Sequence, residues 1–130
     1  MNVLRHFIIS GFVVSLFFSS WCVADDGHDE TAINKMAEII YRLKHFPSPQ
    51  GKSELQMIVN ASNSTENERT IATAMINMEH QVAPNDILLL KKIVNNKAST
   101  QHERELAEIL INFSHRPTKQ DKNQLKEMMK

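Results

Sequence analysis

The sequence predicts an all-α protein: three tandem helical hairpins of 35 residues, about six helices, stacked as a short solenoid or compact bundle. Three observations carry that prediction. The first is a repeat. Glu68-Arg69, Ile76-Asn77, His80, Asp86 and Leu90-Lys91 return 35 positions later as Glu103-Arg104, Ile111-Asn112, His115, Asp121 and Leu125-Lys126. A fainter copy precedes them, with Ala37, His45 and Leu55 in register with Ala72, His80 and Leu90. The second is apolar spacing at i, i+1, i+4, i+7, the stripe of an amphipathic helix. The third is punctuation: Pro or an Asn/Ser cluster separates the apolar stretches, and proline cannot continue a helix.

The units run over about 30–64, 65–99 and 100–130 within a single domain of residues 31–130. In unit one, Met36, Ala37, Ile40 and Leu43 form the first stripe, which should stop near His45-Phe46 before Pro47 and Pro49. Ser48 reads as an N-cap with Pro49 at the first helical position, where its missing N–H costs nothing. Leu55, Ile58 and Val59 mark the second helix, ended by Asn60-Ala61-Ser62-Asn63-Ser64.

Unit two opens on Thr65-Glu66-Asn67-Glu68, a capping box. Its stripe is Ile71, Ala72, Met75 and Met78. Pro84 starts the next helix, with Asp86 in the first turn where a carboxylate favours the helix dipole. Ile87 to Leu90, then Ile93-Val94, is apolar nearly all round, so that helix is expected to be buried on more than one side. Unit three repeats the box as Thr100-Gln101-His102-Glu103 and the stripe as Leu106, Ala107, Leu110 and Phe113. After Pro117, Thr118 to Asp121 is a third start signal. The last helix keeps Leu125, Met128 and Met129 apolar and sets Lys119, Lys122, Lys126 and Lys130 along one face, the polar outer cap expected at the end of a stack.

A small residue recurs at 37, 72 and 107, which lets helices approach closely. The period is near that of tetratricopeptide hairpins, but their Trp, Leu-Gly and Tyr signals are missing, so no family is assigned.

Ahead of the repeats, residues 1–24 read as a secretory leader. Arg5 and His6 precede an apolar run from Phe7 to Phe18, and Cys22-Val23-Ala24 offers small residues at −3 and −1. The run is short for a membrane span, which needs about 20 residues. An uncleaved anchor and lipidation at Cys22 are the alternatives, the latter opposed by bulky Trp21. Export is therefore expected, to a periplasm or to the medium. Residues 25–30 form an acidic tail. Cleavage after Ala24 would remove the only Cys and the only Trp and leave 106 residues with 14 basic and 15 acidic side chains. That balance argues against a nucleic-acid binder, and such a chain has no disulfide and no stable membrane span.

Several residue sets bear on function. Only Gly11, Gly27 and Gly51 are glycines, so there is no phosphate-cradling loop, and no Ser or Cys sits in a nucleophile elbow. The chain is not expected to be an enzyme, and no cofactor is expected. His45, His80 and His115 share one place in every unit. Equivalent positions on neighbouring hairpins should lie about 10 Å apart, too far to share an ion unless the stack curls tightly. The histidines are therefore expected to cap helix C-termini; a copper, zinc or haem site is the alternative. Of the Met residues that follow the leader, all but Met57 fall on core stripes. The leading expectation is a protein- or peptide-binding module that uses a repeated surface, with Arg69, Arg104 and Glu108 as its contacts. A structural protein without a ligand is the third reading.

Overall fold

The computed structural model describes residues 27–130, with side chains from Ala32 onward. The leader expected over residues 1–24, and Asp25 and Asp26 of the tail, lie outside the described residues. Six helices follow in order: α1 (Gly27–Arg42), α2 (Pro49–Asn60), α3 (Glu66–Asn77), α4 (Pro84–Asn95), α5 (Gln101–Ile111) and α6 (Lys119–Met128). Residues 27–30 of the expected tail are thus helical. There are no strands among the described residues. No helix there is long and apolar enough to cross a membrane.

Helix boundaries follow local chemistry. Thr65, Thr100 and Thr118 each accept from the backbone N–H three residues on, and Glu68, Glu103 and Asp121 reach back to the cap N–H at 2.8 Å. These are three complete capping boxes. Ser48 caps α2 through the N–H of Gly51 at 3.1 Å. Among α2 to α6, α4 alone lacks a side-chain cap; Ala83 stands at its N-cap with Pro84 behind it.

The bundle is a closed ring. The first helices of the three units, α1, α3 and α5, touch one another pairwise around a common axis. The second helix of each unit packs chiefly on the first helix of the next: α2 on α3, α4 on α5 and, closing the ring, α6 on α1. The three stripes point inward, and Met36, Ala37, Ile40, Ile71, Ala72, Met75, Leu106, Ala107 and Leu110 are buried in one core. Each large apolar side chain buried this way contributes about 1.5–3 kcal/mol against the entropy of ordering the chain.

Closure corrects two expectations. The last helix is no free end of a stack. Lys122 and Lys126 lie over the Tyr41 ring of α1, with Nζ 5.2 and 5.7 Å from its centroid, so their stems cover apolar surface while their heads stay wet. And α4 is one-sided: Leu90 and Ile93 are buried, whereas Leu88 and Leu89 are 61% and 43% exposed. In a ring the second helices form the outer layer, so α4 has a single inward face.

Candidate metal centre

Each unit carries a loop between its two helices, and each loop is pinned on both sides of its histidine. Leu43 and Pro47 are buried around His45, Met78 and Val82 around His80, and Phe113 and Pro117 around His115. The pattern is apolar-x-His-x-apolar in all three. Buried residues at −2 and +2 hold the loop down, which leaves the histidine at its crest, and all three histidines are exposed.

Because the first helices of the ring run to the same end, the three crests meet. The ring centroids of His45 and His80 are 5.5 Å apart, those of His45 and His115 5.9 Å, and those of His80 and His115 5.5 Å. One nitrogen from each ring lies within 4.8 Å of the other two. The expected spacing of about 10 Å fails because the units close around an axis instead of stacking along one. The expected capping role fails as well. α1 and α3 end three residues before their histidine and α5 four before, and no imidazole hydrogen bond occurs among the described residues.

The third loop is built differently. His115 has φ 65°, the one positive φ among the described non-glycine residues. The N–H of Arg116 donates to the carbonyl of Ser114 at 2.7 Å across it. An i to i+2 bond around a residue at that φ is the layout of a γ-turn, a strained conformation. The N–H of His115 in turn donates to the carbonyl of His80 at 3.2 Å, which ties the third loop to the second. Strain held by surrounding structure is a feature of functional sites.

The arrangement suits a cation. The C-terminal ends of three helices converge below the histidines, and each carries the negative end of a helix dipole. A tetrahedral ion bound at 2.0–2.1 Å sets neighbouring nitrogens about 3.3–3.4 Å apart. From a present separation of at most 4.8 Å, each nitrogen would move inward by about 0.8 Å at most, within reach of small side-chain rotations. Three neutral imidazoles without thiolate suit zinc or copper(II). No fourth His, Cys, Asp or Glu joins the three among the described residues, and three imidazoles by themselves leave one position of a tetrahedral ion open.

The other expected contact residues do not join this site. Arg69 donates through Nη2 to the carbonyls of Ala61 and Ser62 at 3.0 and 3.4 Å, and Arg104 donates through Nη1 to that of Ser99. Both are half-buried and tie down the loop before their own helix, at the other end of the bundle. Glu108 is exposed, and its carbonyl accepts from the Asn112 side chain. Comparison with protein families, with curated proteins and with solved structures finds no match to this chain.

Proposed function

We propose that this protein is a small exported metal-binding protein that takes up one divalent late transition-metal ion, zinc or copper(II), through His45, His80 and His115. One observation carries the reading: three imidazoles, one per repeat, converge with ligand atoms within 4.8 Å of one another. A repeat needs no histidine at that place for packing, since the rings are exposed and the buried flanking residues do the anchoring. The leader-like pattern of residues 1–24 supports the exported setting. A thermal melt followed by circular dichroism tests the binding. At a hundredfold excess over Kd an ion that binds only the folded state adds about 2.7 kcal/mol. A domain of this size would then melt roughly 10–20 °C higher. The shift should vanish in His80→Ala. Binding needs neutral imidazoles, so it releases protons and weakens as the solution is acidified.

The protein-binding reading keeps one observation in its favour: Leu88 and Leu89 stand exposed side by side on the outer face of α4. A partner covering them would be lost in Leu88→Glu, with metal uptake unchanged.

A further inference from the structure

A cleft between α1 and α2 adjoins the histidines. Position 86 of unit two is Asp, and its carboxylate accepts from Asn77 Nδ2 at 3.2 Å, which bridges α3 to α4. Position 121 of unit three is also Asp, but there Asn112 Nδ2 donates to the Glu108 carbonyl and Asp121 accepts from the Thr118 N–H, so this bridge belongs to unit two. The equivalent in unit one is Gly51, and Asn77 is matched there by Arg42. α1 and α2 are joined instead by an ion pair, Lys35 Nζ to Glu54 Oε2 at 3.9 Å, and the cleft opens beside it, with Glu38 and Glu54 also in its wall. His45, Lys44, Arg42 and Phe46 line it. Arg42 already pairs with Glu38 through Nη2 at 2.7 Å. The ammonium of Lys44 has no hydrogen bond or ion pair among the described residues. Phe46 is 57% exposed, although it is the largest apolar side chain next to any of the three histidines.

We propose that the loaded centre binds a small carboxylate, with its oxygen on the metal's open position and its body in the cleft between α1 and α2. The inference rests on the metal-binding reading and extends it to a ligand class. Three neutral imidazoles leave a divalent ion's charge uncompensated, and the missing fourth ligand leaves it a position for an anionic oxygen. Lys44 adds a second positive charge on the same rim. Phe46 offers an apolar wall, so an aromatic carboxylate gains over acetate.

Cobalt(II), whose visible spectrum reports its coordination, is the probe. The purified protein loaded with one cobalt(II) ion is titrated with acetate and with benzoate at constant ionic strength, with tetramethylammonium perchlorate, a non-coordinating salt, as the control. Both carboxylates should saturably change the visible bands, benzoate at the lower concentration, and the control should not. Lys44→Ala should weaken both about fivefold, the scale of one exposed ion pair. Phe46→Ser should erase the benzoate advantage and leave acetate unchanged; both side chains are exposed, so neither change threatens the fold. Bands indifferent to carboxylate, or carboxylate binding unaltered by both substitutions, would overturn the cleft proposal while the metal site stands. Absence of any bound-cobalt spectrum would instead remove the metal reading on which it rests.

Discussion

Glu103→Ala tests how the ring is held together at the end away from the histidines. Glu103 is buried, and its carboxylate accepts from three donors. Oε2 takes the Thr100 N–H at 2.8 Å and Asn67 Nδ2 at 3.0 Å, and Oε1 takes the Thr65 hydroxyl at 3.0 Å. The first bond completes the α5 capping box. The other two cross to the start of α3, so one carboxylate joins the caps of units two and three. Asn67 also reaches Ser99 Oγ at 3.1 Å, which closes the network. Truncation removes a cap worth about 1 kcal/mol. It also strips two half-buried donors of a charged acceptor, at about 1.5–3 kcal/mol each before water and neighbours recover part. Because bonds in one network do not add, the expected loss is about 2–4 kcal/mol. That would lower the melting temperature by roughly 10–30 °C. Urea unfolding is the assay, and the midpoint should fall with the slope unchanged. Thr65→Val should cost less, and the double mutant should lose less than the sum. A loss below about 0.5 kcal/mol, the range of ordinary surface changes, would refute the claim that this carboxylate joins two units.

Three further outcomes follow from the ring. Ala72 is fully buried where α1, α3 and α5 meet, so Ala72→Leu should destabilise by about 1–3 kcal/mol through overpacking; an unchanged melt would sink the close approach of these helices. Tyr41→Ala should cost about 1–2 kcal/mol because it removes the surface on which Lys122 and Lys126 lie, whereas Tyr41→Phe should be near neutral by chemical denaturation. His115→Gly should leave stability within about 1 kcal/mol, since relief of the positive φ offsets added chain freedom, yet it should abolish metal uptake; His115→Val should destabilise.

The elements of this fold were legible because their signals are local. Thr65, Thr100, Thr118 and Ser48 announce helix starts through side-chain oxygens that bond three residues away, and each does so in the structure. The stripes from Met36, Ile71 and Leu106 are the core. Closure was not legible, because a 35-residue period fixes each unit and leaves the rotation between units free. That rotation depends on long-range packing such as α6 on α1, and the sign of it in the sequence is slight: Tyr41 on one helix and the stems of Lys122 and Lys126 on the other. The candidate site inherits the same blindness. The histidine register was plain at positions 45, 80 and 115, but their distance apart is a property of the ring. Glu103 was readable as a cap partner, and its reach to Thr65 was not, for it spans 38 residues. The cleft beside His45 was equally hidden, for it lies between α1 and α2 and shows only once both helices are placed.

The most direct test of the central claim is metal stoichiometry. Purified protein is equilibrated by dialysis against zinc and, separately, copper(II) at neutral pH, and bound metal is counted by mass spectrometry. One ion per chain is expected for wild type. Each of His45→Ala, His80→Ala and His115→Ala should weaken uptake by more than about 100-fold, since outer-shell partners of a ligand alone carry 10–100-fold, with the helical spectrum retained. Failure of wild type to hold either ion, or equal uptake by a variant lacking all three histidines, would contradict the assignment of this end of the ring as a metal centre.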